Sequence, residues 1–190
     1  MSWNGKDAAQ SRNCGIDKRL PKQFGDFAES LVMYLLGKHK GARVALVDHV
    51  GADIIATAPA RSARYAISVK GRNFPSSESK GFNFPRHDVE MLRDFAESFA
   101  LIPAVAFVFA DDIDGMEKIR VFLVRLDEME RLASDDMCSF FSVSESRTTG
   151  GIGIRYNRSA RHDYLSEICA SSAVDYTEMT FNILDQILNL

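Results

Sequence analysis

The spacing of apolar residues predicts one long helix followed by three strands. Apolar side chains recur every three or four residues at Phe24, Phe27, Ala28, Leu31, Val32 and Leu35. This spacing is typical of an amphipathic helix over 22–37, which Gly37 would end. Three runs rich in Val, Ile and Ala follow, and they predict strands at 43–48, 53–58 and 64–69. The Gly-, Ser- and Pro-rich stretch 71–86 predicts a long loop.

The second half of the chain continues with alternating helices and strands. Apolar spacing predicts a helix over 86–100 and a short one over 126–133, with strands at 104–110 and 119–124. Beyond residue 134 the pattern predicts a strand near 151–156 and helices near 160–169 and 176–189. The apolar side of the last helix is typical of a core contact or of a homodimer seam. Together these elements predict a mixed α/β fold with a sheet between helices.

Size and composition favour one globular domain. The chain has 190 residues, 46% of them hydrophobic, which is enough to bury a sizeable core. The first residues lack the apolar segment of a secretory signal, and the longest apolar run, 99–110, is too short to span a bilayer. The three cysteines, Cys14, Cys138 and Cys169, are far apart and predict reduced thiols. We therefore expect a cytoplasmic protein with no membrane segment.

Charge is unevenly distributed along the chain. The formal net charge is −3, yet residues 61–86 hold six basic side chains and one acidic one. Residues 111–136 hold nine acidic and four basic side chains. A basic segment in an acidic chain is a candidate surface for phosphate groups, although a solvated loop of mixed charge has the same composition.

Two neighbouring strands bring a carboxylate and an ammonium group to one end of a predicted hairpin. In an antiparallel pair with its turn near residues 61 and 62, Asp53 lies opposite Lys70, and Ser68 shares a face with Lys70. One interpretation is a structural salt bridge between the strands. The other is a site for a hard cation, bound by Asp53 and the Val69 carbonyl, with Lys70 positioning a water and offsetting phosphate charge.

Three short stretches of the chain, taken together, resemble a known family. Gly51-Ala52-Asp53 followed by Ser68-Val69-Lys70 resembles the core of the PD-(D/E)xK nucleases. The stretch 24–29 (FGDFAE) is similar to the first helix of the archaeal Holliday-junction resolvase branch. The stretch 87–103 resembles the helix and strand that follow the lysine in that family.

The resemblance implies a restriction-endonuclease-like fold: a mixed central β-sheet flanked by helices in the order α-β-β-β-α-β. It covers roughly residues 22–125. We accordingly expect a flexible N-terminal arm over 1–20, a PD-(D/E)xK-like core over 21–135 and a C-terminal α/β extension over 136–190 that packs on the core.

The resemblance also implies a metal site that binds Mg²⁺ or Mn²⁺. In it, Asp53 matches the metal-binding aspartate, Lys70 the catalytic lysine and Glu29 the first-helix glutamate that completes the site. Ser68 departs from the family, which usually has Glu or Gln at this position. Losing that carboxylate weakens the affinity for a hard cation, unless Asp88 or Glu90 on the following helix supplies the missing acid.

The function implied is a metal-dependent DNA endonuclease-like phosphodiesterase acting on branched or duplex DNA. Four basic residues are candidates for contacts with the DNA backbone: Arg64, Arg72, Lys80 and Arg86. One alternative, favoured by Ser68, is a catalytically inactive module of the same fold that binds nucleic acid or a protein partner. Another is an α/β interaction protein in which the hairpin ion pair is only structural.

Overall fold

A computed structural model describes residues 19–59, 62–74, 81–113, 116–134, 140–144, 150–155, 158–159 and 162–182. Its helices are α1 (Leu20–Lys40), α2 (Arg86–Ser98), α3 (Leu126–Ser134) and α4 (Tyr164–Cys169). Its strands are β1 (Arg43–His49), β2 (Ala52–Ala58), β3 (Ala63–Phe74), β4 (Gly81–Pro85), β5 (Ile102–Ile113), β6 (Met116–Arg125), β7 (Phe141–Ser144), β8 (Gly151–Arg155), β9 (Arg158–Ser159), β10 (His162–Asp163) and β11 (Val174–Asn182).

Six strands form a central mixed sheet in the order β1-β2-β3-β5-β6-β11. Neighbouring strands are antiparallel except β3 and β5, which run parallel with α2 lying between them in the chain. A parallel pair needs a crossover connection, and α2 provides part of it. This arrangement confirms the predicted mixed α/β fold and its α-β-β-β-α-β order, with β4 added before α2.

Both faces of the central sheet are covered by apolar side chains. Ala28, Val32 and Leu36 of α1 pack on one face, which we call the α1 face. The opposite face, called the α2 face, packs against α2, α3 and a second sheet of order β4-β8-β7. Along β3, Ile67 and Val69 belong to the core on the α1 face. The intervening even-numbered residues therefore lie on the α2 face, because strand side chains alternate.

The first helix is longer than predicted. It begins at Leu20, inside the predicted arm, and continues through Gly37 to Lys40, so the predicted end at Gly37 is wrong. The helix ends where Gly41 adopts φ 59°, a left-handed conformation that favours glycine. The rest of the predicted arm, residues 1–18, lies outside the described residues.

The predicted loop 71–86 is wrong at both ends. β3 continues to Phe74 because it stays paired with β5, and residues 81–85 form β4, which pairs with β8. Residues 75–80 lie outside the described part of the chain. The two strands thus extend the folded structure well past Lys70.

The predicted helix over 176–189 is also wrong for residues 176–182, which belong to β11. This strand pairs with β6 from Val174 to Asn182, and residues 183–189 are not described. Its aromatic and β-branched residues suit a strand, and pairing with β6 decides the conformation. Elsewhere, β8 confirms the strand near 151–156, and α4 occupies only 164–169 of the helix expected near 160–169.

Among the described residues, no helix combines the length and hydrophobicity that a bilayer crossing requires.

Candidate functional site

The register of the β2–β3 hairpin differs from the predicted one by two residues. Ile54 pairs with Ile67, and Ala58 pairs with Ala63. Continuing this register places Asp53 level with Ser68, so the prediction that Asp53 lies opposite Lys70 is wrong. β2 ends at Ala58 as predicted, but Ala58 pairs with Ala63, whereas the predicted register would pair it with Tyr65.

The Asp53 carboxylate is held by β3 through one of its two oxygens. Oδ2 accepts hydrogen bonds from the backbone N–H of Val69 at 2.6 Å and from the Ser68 hydroxyl at 3.3 Å. Within the described part of the chain, Oδ1 makes no hydrogen bond. Ser68 is 4% exposed, so the hydroxyl that orients the carboxylate is buried. The carboxylate is therefore fixed with one oxygen unused.

Lys70 pairs with the second helix. Its Nζ lies 3.2 Å from Oδ2 of Asp88 and 5.5 Å from the centre of the Phe84 ring. The lysine side chain is 27% exposed and that of Asp88 36%, so solvent reaches both. Asp88 lies in the first turn of α2, where the helix dipole favours a negative charge. Asp53 and Asp88 thus flank Ser68 and Lys70 on the α2 face.

A close approach between the tip of the β1–β2 hairpin and α2 fixes this geometry. Gly51 has φ 106°, and a Cβ atom there would collide with the carbonyl oxygen of Met91. Only glycine combines this backbone conformation with this contact. The contact therefore holds α2, which carries Asp88, against the start of β2, which carries Asp53.

Glu29 belongs to the helix on the other side of the sheet. Its neighbour Ala28 packs on the α1 face, where α1 passes so close to Gly71 that an added Cβ would lie 3.1 Å from Ala28. No three of the described His, Cys, Asp and Glu side chains converge as a metal-binding group. Glu29, Asp53 and an acid from α2 therefore do not form one three-acid cluster.

The predicted basic contacts are spread over the molecule. Arg72 lies two residues beyond Lys70 on the same face, with Cζ 4.7 Å from the centre of the Phe82 ring. Arg86 is exposed at the start of α2 and borders a cavity of about 340 Å³ between α2, α3 and β8. Arg64 lies at the opposite end of β3, roughly 20 Å from Lys70, and bonds the Ala100 carbonyl at 3.4 Å. Lys80 lies outside the described residues.

Sequence reasoning missed a buried ionic network on the same face of the sheet. Arg120, 1% exposed, donates to Glu178 at 2.7 Å and to Asp111 at 3.3 Å. Burial alone would raise the pKa of Glu178, but hydrogen bonds from Arg120 and Tyr176 lower it to about 2. Burial and the bond to Glu178 raise the pKa of Tyr176. The available signal was a charged residue at an inward position of the apolar strand 119–124.

Comparisons with known proteins give structural likenesses but no sequence match. No family model matches the chain, and no curated protein matches its sequence. Among solved structures, the chain is similar to that of Archaeoglobus fulgidus Hjc, a Holliday junction resolvase from an archaeal hyperthermophile. The two are 19% identical with a TM-score of 0.47, over 70% of this chain and 84% of that one.

Proposed function

We propose that this chain is a divalent-metal-dependent phosphodiesterase that acts on DNA. The observation that carries the proposal is the grouping of Asp53, Ser68, Lys70 and Asp88 on one face at the end of the β2–β3 hairpin. A carboxylate with an unused oxygen and an accessible lysine are the groups that phosphodiester hydrolysis requires. Asp88, on the helix that follows, would supply the carboxylate that is missing at position 68.

The donor set fits a single small divalent cation. Mg²⁺ is usually bound by one or two carboxylates, with waters and substrate phosphate completing its shell. Asp53 would bind through Oδ1, since its Oδ2 is already engaged by Val69 and Ser68. The Val69 carbonyl faces the same side, because the N–H and C=O of one strand residue face the same neighbouring strand. Asp88 would be the second carboxylate.

The chain's own residues would divide the remaining work. A bound divalent cation polarises a phosphoryl oxygen and lowers the pKa of a coordinated water. Asp53 holds its unused oxygen in place through its bonds to β3. Lys70 would leave Asp88 when a phosphate arrives, position the attacking water and offset the growing negative charge. Its stacking on Phe84 keeps the ammonium group near the site during this exchange.

Glu29 has a lesser role in this proposal. Since α1 covers the opposite face, Glu29 would act on the cation through water, past the end of the β2–β3 hairpin, where β3 extends beyond β2 and pairs only with β5. We therefore expect Glu29→Gln to weaken Mg²⁺ binding less than Asp53→Asn does.

The substrate would be branched or duplex DNA, bound through its backbone. Arg72, Lys80 and Arg86 are the contacts we propose near the site, whereas Arg64 lies too far from Lys70 to touch the same phosphates. Such contacts give affinity without sequence choice. The enzyme would work in the cytoplasm, as a monomer or a homodimer.

Cleavage of labelled DNA tests the proposal. Branched, duplex and single-stranded DNA are incubated with Mg²⁺, with Mn²⁺ or with EDTA. We expect cleavage only with metal and its loss in Asp53→Asn and Lys70→Ala, while Arg64→Gln, on the same strand, retains activity. Robust cleavage by the Asp53 and Lys70 variants would show that another site, or a contaminant, is responsible.

A second candidate function is favoured by Ser68. A buried hydroxyl that donates to Asp53 is also what a binding module that has lost catalysis would contain. In that case Asp53 serves only to satisfy the Val69 N–H at the end of the ladder. Titration calorimetry separates the two functions: the module binds DNA but gives no heat with millimolar Mg²⁺. A purely structural hairpin predicts no DNA binding even at low salt.

A further inference from the structure

Arg72 is an exposed guanidinium that already has a fixed position. Its Cζ lies 4.7 Å from the centre of the Phe82 ring, and Phe82 in turn meets Phe107 of the core, with ring centres 6.1 Å apart. Phe82 belongs to β4, which is anchored by its pairing with β8. The second sheet therefore orders a cation that emerges from the first.

Arg72 differs from four other arginines of the described residues in its lack of an acidic partner. Arg93, Arg120, Arg125 and Arg131 each form a salt bridge with a carboxylate. Over the described residues, Arg72 has neither a salt bridge nor a hydrogen bond. Its charge is thus available to an anion from outside the chain.

The position of Arg72 relates it to the candidate site. It follows Lys70 by two residues on the same strand face, which puts the two Cα atoms roughly 7 Å apart. Each cation stacks on its own phenylalanine of β4, Lys70 on Phe84 and Arg72 on Phe82. β4 thus supports a short row of two cations along β3.

We infer that Arg72 is a pre-oriented fork for the DNA phosphate next to the one that reacts, and that Phe82 is its positioning residue. A guanidinium stacked on a ring keeps its N–H donors in the plane free for two parallel bonds to one phosphate. Holding it in advance lowers the entropy lost on binding. This inference rests on the proposed function for the identity of the reacting phosphate.

The contact between Arg72 and Phe82 also affects whether a nucleobase can stack on this ring. Arg72 already occupies one face of the Phe82 ring, so a nucleobase could stack on that face only by displacing the guanidinium. The contact therefore reads the DNA backbone and not the sequence.

DNA affinity measured without metal tests the inference. Fluorescence anisotropy with a labelled duplex is recorded in EDTA between about 50 and 200 mM salt. Arg72→Gln should weaken binding about tenfold, and it should reduce the slope of log K against log salt by about 0.9, the value for one phosphate contact. Arg64→Gln is the matched control, with the same residue type at the far end of β3, and should change neither quantity.

Two further variants test the geometry. Arg72→Lys keeps the charge, so it should retain the slope but weaken binding by about threefold, because the fork is lost. Phe82→Leu should do the same, and the double variant should bind no more weakly than either single one. Thermal unfolding checks that each variant is folded, and Phe82→Tyr, which keeps the ring, should bind like the wild type.

Each outcome decides the matter. The inference is overturned if Arg72→Gln leaves the slope unchanged, if Arg64→Gln lowers it equally, or if the effects of Arg72→Lys and Phe82→Leu add. Since no metal is present, Arg72-dependent binding by a chain that never cleaves DNA would contradict only the proposed catalysis. Cleavage by a chain whose binding ignores Arg72 would contradict only this inference.

Discussion

Restoring the missing acid with Ser68→Glu should make the fold depend on metal. The Ser68 hydroxyl lies 3.3 Å from Oδ2 of Asp53 and is 4% exposed, so a glutamate there places a second carboxylate close to the first. Two like charges about 4 Å apart repel by roughly 4 kcal/mol at the effective dielectric constant of a protein surface. Part of this is relieved by solvent and by proton uptake, so we expect a loss of about 2–3 kcal/mol without metal.

A divalent cation between the two carboxylates should reverse that loss. A ligand present at 100 times its dissociation constant stabilises the folded state by about 2.7 kcal/mol. In a chain of this size, each kcal/mol shifts the melting temperature by about 2–4 °C. Mg²⁺ should therefore raise the melting temperature of the variant by about 5–10 °C and that of the wild type by less.

Circular dichroism melts in EDTA and in Mg²⁺ make the measurement. Ser68→Gln is the matched control, since it has the same size without the charge. We expect it to lose stability through overpacking alone and to respond to Mg²⁺ no more than the wild type does. If the Glu and Gln variants have the same melting temperature in both buffers, no cation binds beside Asp53 and the reasoning is refuted.

Four other predictions concern the site and its support. Lys70→Ala should lower the cleavage rate at least about 100-fold yet leave Mg²⁺ binding intact in calorimetry; a loss of metal binding would make the lysine structural. Gly51→Ala should destabilise the fold by about 2–3 kcal/mol in urea unfolding, because its Cβ would strike the Met91 carbonyl, whereas an unchanged midpoint would deny that contact. Arg120→Ala should cost about 3–5 kcal/mol by leaving the buried Asp111 carboxylate uncompensated, and Arg120→Met clearly less. Because the folded pKa of Glu178 is depressed to about 2 from an ordinary 4.5, its stabilisation is present above pH 4.5 and lost as the pH falls towards 2; Glu178→Gln should flatten this part of the stability curve, and an unchanged curve would contradict it.

The spacing of apolar residues was enough to predict the helices and strands whose conformation does not depend on a neighbouring element. The predicted helix over 86–100 corresponds to α2, whose Val89, Leu92, Phe95 and Ala96 are buried. The apolar run 104–110 lies within β5 and is buried throughout. Both follow from patterns that a neighbouring element does not alter.

Contacts between separate strands determined the features that the local sequence did not predict. The stretch 176–182 has apolar residues at spacings that suit a helix, and only its pairing with β6 makes it a strand. The predicted register of the β2–β3 hairpin was wrong by two residues, since Asp53 lies level with Ser68 and not with Lys70. The turn sets this register, and the composition of the strands does not indicate it. Arg120 of β6 is neutralised by Asp111 of the neighbouring β5 and by Glu178 of β11, which follows it by 58 residues in the chain, so the pairing with β11 could not be predicted from the local sequence.

The family resemblance implied an arrangement of residues that the structure reproduces only in part. It led to Asp53 and Lys70, which do share one end of the hairpin, but it implied Glu29 beside them. The structure instead brings Asp88 to Lys70 and leaves α1 on the opposite face. α2 packs against the tip of the β1–β2 hairpin at Gly51, and the same helix carries the Asp88 that pairs with Lys70.

The most direct test is the location of a bound Mn²⁺ ion in crystals, found by anomalous scattering. The proposed site predicts a single peak about 2.1 Å from Oδ1 of Asp53, with Asp88 turned away from Lys70 towards the ion and no peak in Asp53→Asn crystals. Density for Mn²⁺ elsewhere, or an Asp53 carboxylate that remains bonded only to Val69 and Ser68 at saturating metal, would contradict the account.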